Sequence, residues 1–227
     1  MTNLGLNKID QQPVTLREVV LDRLRDAIIN DVFKPGDRLI ERVLCEQLGV
    51  SRTVVRESLR YLDAEGLVEH VPNRGPIVAR MTWDDARQIY DIRRKLETDA
   101  AEACARNMTP AQERRLRQAL AELESAALQK ESSALFKATT RFYEVIFEGA
   151  GHTIAWEVVS RLNSRISRLR IMTLTSDDRA ISGPSHMRKI CEAIAAHDPQ
   201  AARRAVEEHV TDASAIAQKL LAQTSGT

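Results

Sequence analysis

A chain of 227 residues, 43% hydrophobic and only 4% aromatic, is long enough for one large or two small domains, and its abundant Ala and Leu favour packed helices. The net charge is +1, with twelve basic and twelve acidic residues among positions 1–80, which argues against a non-specific nucleic-acid coat and leaves room for a small patterned basic face. Cys45, Cys104 and Cys191 are odd in number and far apart, so neither a disulfide framework nor a zinc ribbon is expected, and with no signal-peptide core and no bilayer-length apolar run the expected location is cytoplasmic.

Residues 1–13 are polar and are expected to fray. Val14 to Asp31 reads as a helix with Val20, Leu24, Ala27 and Ile28 on one stripe. Lys34-Pro35-Gly36-Asp37 is a turn. Glu41 to Leu48 reads as a short helix ended by Gly49, since glycine takes a left-handed C-cap without steric cost. Ser51 can cap a second helix through its hydroxyl. Helix, tight turn, helix is the layout of a DNA-reading helix-turn-helix. In the second helix Val55, Leu59 and Leu62 face a core, while Arg52, Arg56 and Arg60 repeat every four residues on another face. An arginine fork suits guanine or phosphate oxygens, and the first turn of such a helix enters the major groove. The same stripe also fits a solvated face of an ordinary helix. Gly66 to Val71 and Pro76 to Ala79 read as strands joined by the turn Pro72-Asn73-Arg74-Gly75, a hairpin that can serve as a wing. The candidate DNA contacts are Arg42, Ser51, Arg52, Thr53, Arg56, Asn73, Arg74 and Gly75.

These residues resemble the winged helix-turn-helix of the GntR superfamily of bacterial regulators. The resemblance runs from Lys34-Pro35-Gly36 through Leu48-Gly49-Val50-Ser51-Arg52, Val55-Arg56-Glu57 and Glu65-Gly66-Leu67-Val68 to Pro72-Asn73-Arg74-Gly75, within residues 14–80. Val54 stands where many relatives have proline, which suits a first helical turn but is not required there.

Beyond the wing Met81-Thr82 passes directly into a helix capped by Thr82, so the two parts are joined by a short connection. Every later segment reads as helix: Thr82–Asn107 with Ile89, Ile92, Leu96, Ala100 and Ala103 inward; Thr109 to about Gln129, started by Thr109, Pro110 and Gln112; Ser133–Glu148, broken by Gly149-Ala150-Gly151; Thr153–Leu174 with Ile154, Val158, Leu162, Ile166 and Leu169 inward. Ser176–Pro184 reads as a loop, followed by helices Ser185–Ala196 and Asp198–Leu221. The expected fold is mainly α: a winged helix-turn-helix over 1–80, then an all-α antiparallel bundle over 81–227.

The second part resembles the all-helical effector-binding FCD domain of the FadR subfamily of GntR regulators. The resemblance rests on Tyr90-Asp91-Ile92-Arg93-Arg94-Lys95-Leu96-Glu97, Phe142-Tyr143, His186 to Ile194, Asp198-Pro199-Gln200-Ala201-Ala202 and His209. His186 and His209 lie about eleven residues either side of the turn near His197-Asp198, so an antiparallel pair would set both at one level, facing inward. Two inward histidines could hold a divalent metal such as zinc or nickel, bind an anion, or be hydrogen-bonded core groups. The resemblance implies two further metal ligands in an Asp-x-x-x-His pattern, and Thr139 and Tyr143 stand there instead; neither is a usual ligand. The candidate effector contacts are Arg93, Thr139, Tyr143, His186 and His209, with His186 and His209 also the candidate metal ligands. Arg93 could clamp a carboxylate or pair internally with Glu97. His70 and His152 belong to no constellation, and Trp83 and Trp156 suit packing. No nucleophile triad, phosphate loop or dinucleotide fingerprint occurs.

The function this implies is a ligand-responsive regulator, not an enzyme: a homodimer on a short inverted repeat of double-stranded DNA, whose bundle binds a small carboxylate with weak metal help or none. The alternatives are a metal-dependent regulator, a bundle that only dimerises, and, more distantly, a metal-dependent enzyme using His186 and His209.

Overall fold

The computed structural model describes residues 15–129, 132–174 and 176–224. Residues 1–13, read as a frayed start, lie outside the described residues. The chain forms two compact units, divided between Ala79 and Arg80.

In the first unit α1 (Leu16–Ile29) starts after Thr15, whose hydroxyl accepts from the Glu18 N–H at 3.3 Å while the Glu18 carboxylate accepts from the Thr15 N–H at 2.8 Å. This reciprocal cap sets the first residue, two later than periodicity places it. Helices α2 (Glu41–Leu48) and α3 (Arg52–Ala64) are separated by Gly49, left-handed at φ 66°, and by Ser51, whose hydroxyl accepts from the Val54 N–H. Strands β1 (Val68–Val71) and β2 (Gly75–Val78) pair antiparallel, Val68 opposite Val78 and Val71 opposite Gly75. The segment between α1 and α2 joins this sheet, with Arg38 bridging Ile77 and the Leu39 N–H donating to the Pro76 carbonyl at 2.9 Å. It is a third pairing that the turn-rich sequence Lys34-Pro35-Gly36-Asp37 does not advertise, and it ties the root of the wing to the entry of α2. Val20, Leu24, Ile28, Leu39, Leu44, Val55, Leu59, Leu62, Leu67, Val68 and Val78 make one core. Arg25 on α1 holds Glu65, at the end of α3, through two N–H donors at 3.1 and 2.7 Å.

The second unit is a bundle of α4 (Trp83–Asn107), α5 (Pro110–Gln129), α6 (Ser132–Ala150), α7 (Thr153–Arg165), α8 (Ser167–Leu174), α9 (Asp177–Ala195) and α10 (Pro199–Thr224). The long α10 lies along α4 and α9, and α5 packs on α6 and α9. Starts expected from the sequence have their caps: Thr109 and Gln112 exchange hydrogen bonds, and Asp198 accepts from the Ala201 N–H at 2.9 Å ahead of Pro199. His197 makes the α9–α10 turn at φ 53°. Phe142, Ile146, Phe147, Val159, Ile190, Ile194 and Val206 are at the centre of the core.

Four expectations are corrected. Gly149 lies inside α6, and the break comes at Gly151, φ 71°. Gly149 is there because α4 passes close: a Cβ on it would stand 2.7 Å from the Cys104 sulfur. The segment Ser176–Pro184 is not a loop; α9 begins at Asp177 and runs through Pro184, which removes one backbone donor without stopping the helix. Thr153–Leu174 is two helices, interrupted at Ile166, and its inward face is only partly the expected one: Ile166 and Leu169 are buried and Leu162 packs on the core, as expected. Ile154 and Val158 are 70% and 42% exposed, whereas Asn163, Ser167 and Arg170 are buried. On α4 Ile92 is likewise turned outward.

Candidate functional site

Two arrangements carry chemistry. The first is the outer surface of α3 with the wing. Val55, Ser58, Leu59 and Leu62 fix the buried side of α3, so Arg52, Thr53, Arg56 and Arg60 emerge together on the exposed side. Their environments differ. Arg56 donates from Nε to both carboxylate oxygens of Glu41, 2.9 Å each, across the helix-turn-helix. That hydrogen bond and its charge raise the Arg56 pKa above its ordinary value. Arg42 pairs with Glu46 one turn on, at 2.7 Å. Arg52 has no ion pair or hydrogen-bonding side-chain partner among the described residues, and the same is true of the Arg74 guanidinium. The wing tip is a tight turn in which the Arg74 N–H donates to the Val71 carbonyl at 3.0 Å. Pro72 takes its second position and Asn73, at φ 64°, its third, the layout of a type II turn. Gly75 follows at φ 77°. Asn73 and Arg74 are exposed at the tip.

The second arrangement is a polar cluster inside the bundle. His209 is 3% exposed and its ring stands 5.9 Å from both the Tyr143 and the His186 rings. The His186 Nε2 lies 3.6 Å from the Asp212 carboxylate, at the edge of an open groove of about 600 Å³ also lined by Arg204, Glu207, Glu208 and Thr211. The helices thus bring together His186, His209 and Tyr143. Thr139 is also buried, but its hydroxyl donates to the Leu135 carbonyl at 2.7 Å. Arg93 donates from Nε to Glu97 at 2.8 Å, both almost fully buried, and its guanidinium covers the Tyr90 ring. Burial pulls the Arg93 pKa down, and the Glu97 carboxylate, then Tyr90, more than restore it. Of the two sequence readings of Arg93, the geometry realises the internal pair.

Residues that sequence reasoning did not single out complete the cluster. Arg170 on α8 is 4% exposed and lies over the Phe136 ring at 4.8 Å. Burial first, and then the charge of Arg93, push its pKa down to about 10. Glu97 Oε2, Asn163 Oδ1, Ser167 Oγ and Arg170 Nη1 are shut from solvent and make no hydrogen bond. Polar side chains at i, i+4 and i+7, as at 163, 167 and 170, were the available signal, but this pattern reads equally as a solvated face.

Among the described residues no group of three His, Cys, Asp or Glu side chains is placed to hold a metal ion, and the hydroxyl of Thr139, which stands at an expected ligand position, serves the backbone.

Comparison with known families matches residues 16–78 to the gntR family of bacterial regulatory proteins and residues 88–212 to the FCD domain. The chain belongs to the GntR family, with an FCD domain. It is 29% identical over 189 residues to the uncharacterised HTH-type transcriptional regulator YdhC of Bacillus subtilis, spanning 83% of this chain and 84% of that protein. It is 26% identical over 206 residues to the HTH-type transcriptional repressor RspR of Escherichia coli, 89% of each. Among solved structures it resembles E. coli McbR/YncC, with a TM-score of 0.75, 25% identity and coverage of 92% and 99%, and a GntR regulator from Rhodococcus sp. RHA1, with a TM-score of 0.74, 26% identity and coverage of 89% and 97%. As a GntR-family member the chain is a transcriptional regulator with a DNA-binding helix-turn-helix, not an enzyme. None of its described helices is long and apolar enough to cross a membrane.

Proposed function

We propose that this cytoplasmic regulator binds a short inverted repeat as a homodimer and that its FCD bundle senses a small carboxylate, which alters operator affinity. The observation that carries the sensing half is the buried cluster in which two guanidiniums, Arg93 and Arg170, face the one carboxylate of Glu97. Native cores rarely leave polar atoms without partners unless something else satisfies them. Tyr143, His186 and His209 supply further polar contacts beside it. No metal enters this reading; Thr139 and Tyr143, at the positions of the two further ligands, are not usual metal ligands.

On the DNA side, Arg52 with Ser51 and Thr53 reads base edges, Arg56 does so in an orientation held by Glu41, Arg42 contacts phosphate, and Asn73, Arg74 and Gly75 bring the wing to the backbone or minor groove. Ligand and operator are coupled only if the effector favours one arrangement of the dimer, typically by ~1–3 kcal/mol. The test is fluorescence anisotropy on the chain's own promoter with acetate, lactate and succinate present in turn. One of them is expected to shift operator affinity about 5- to 150-fold, and His209→Ala to blunt that shift. Operator binding indifferent to all three removes the sensing half and leaves the DNA half standing.

A further inference from the structure

We infer that Arg170 on α8 is the anchor for the effector's carboxylate, and that the effector is a monocarboxylate, a step that rests on the sensing reading above. Arg93, Glu97 and Arg170 are each at least 96% buried. Arg93 is committed to Glu97 through Nε at 2.8 Å. Arg170 is not committed: its guanidinium lies over the face of Phe136, and Nη1 has no hydrogen-bond partner. Among these three groups one positive charge is left over in the interior. A buried charge without a counterion is strongly unfavourable, so the position makes sense when an anion arrives.

The neighbours narrow the class. Asn163 and Ser167 sit seven and three residues before Arg170, all three buried, and each of the two has a buried oxygen without a partner. A guanidinium fork grips a planar carboxylate through two parallel N–H donors, and a serine hydroxyl can add a third. Glu97 Oε2 is also unsatisfied, but it is an acceptor and repels a second carboxylate. One carboxylate neutralises the cluster, whereas two would reverse its sign. The Arg170 pKa, lowered by burial and then by Arg93 and only partly restored by Glu97, agrees with two guanidiniums sharing one carboxylate among the described residues.

The experiment combines thermal unfolding with titration calorimetry on the full chain, using acetate and lactate, their uncharged partners acetamide and lactamide, and succinate and inorganic phosphate as dianions. In the wild type the two monocarboxylates are expected to raise Tm, and their amides are not. Arg170→Met should weaken acetate and lactate on the order of ten- to a hundredfold yet raise the Tm of the unliganded protein by about 2–4 °C, because a buried unpaired charge is gone. Arg170→Lys keeps the charge but not the fork, and should weaken binding without raising Tm. Glu97→Gln should lower the unliganded Tm and enlarge the shift produced by acetate.

An Arg170→Met protein that is less stable than wild type, or that fails to fold, overturns the unpaired-charge argument whatever the ligand. Monocarboxylate binding kept in Arg170→Met but lost in His209→Ala overturns the anchor and spares the sensing reading. Wild-type protein indifferent to every carboxylate overturns both. Tighter binding of succinate or phosphate than of acetate overturns the monoanion assignment.

Discussion

The two units contain the same ion pair in opposite settings. In the DNA-reading unit Arg56 donates to Glu41 with side chains 59% and 28% exposed; in the bundle Arg93 donates to Glu97 with 3% and 0% exposed. At the surface each partner has water as an alternative, so the pair orients a side chain more than it holds the fold. Inside the bundle neither partner has water as an alternative, and removing Glu97 leaves two guanidiniums stranded. The contrast separates what each unit is built to do. The first presents fixed positive groups to a large polyanion. The second buries Arg93, Glu97 and Arg170, two positive groups to one negative among the described residues.

The sharpest break in that comparison is to neutralise each glutamate. Glu97→Gln should destabilise the protein by about 3–5 kcal/mol, measured by urea unfolding, because Arg93 and Arg170 then share the interior without a carboxylate. Glu41→Gln should leave Tm unchanged and weaken operator binding instead, since Arg56 loses its rest position. Equal stability losses in the two variants would mean that burial does not separate these pairs.

Glycine gives a second matched test. Gly149→Ala places a Cβ 2.7 Å from the Cys104 sulfur in a packed core, and should cost about 1–3 kcal/mol despite the better helix former. In a Cys104→Ala background the cost should vanish. Gly49→Ala meets nothing within 4 Å, so its cost of about 1–2 kcal/mol comes from the left-handed backbone at φ 66° and no neighbouring truncation should relieve it. A Gly149→Ala penalty that persists without the sulfur would refute the close-approach account.

These pairs also show where the sequence was legible. The helix-turn-helix could be read because its functional side chains point outward and its turn needs particular residues, Gly49 and Ser51. What escaped was the Glu41–Arg56 pair, fifteen residues apart, and the third pairing at Arg38. In the bundle the starts at Thr109 and Asp198 could be read from their caps, and the meeting of His186 with His209 from the turn between α9 and α10. The α7–α8 segment could be read only in part. Ile166 and Leu169 face in as expected, but Ile154 and Val158 face out and the polar residues Asn163, Ser167 and Arg170 face in. Hydrophobic periodicity assumes that polar means solvated, and it fails wherever a polar interior is the point of the fold.

Within the DNA-reading unit the comparison can be refined arginine by arginine. Arg52 has no ion-pair partner to give up among the described residues and stands in the first turn of α3. Arg52→Ala should cost about 1–3 kcal/mol of operator affinity and relax sequence preference at one position per half-site. Arg42, engaged by Glu46, should weaken binding evenly across sequences when truncated. Footprints on mutated operators separate the two. Wild-type discrimination in Arg52→Ala would move base reading elsewhere on α3.

The smallest effect belongs to the wing. Arg74 projects from a turn held by Pro72 and Asn73 and has no ion pair among the described residues, so its truncation disturbs neither the β1–β2 ladder nor a neighbouring charge. Its contribution is then the release of counterions from the DNA. Each phosphate neutralised changes log K against log salt by about 0.9. In a symmetric dimer Arg74→Ala should therefore flatten the slope by roughly twice that, with operator specificity intact. An unchanged slope with lower affinity would mean that Arg74 reads the minor groove floor through its shape and not the backbone through its charge. An unchanged slope and unchanged affinity would mean that the wing tip does not reach the DNA, and the reading surface would contract to α3 and the start of α2.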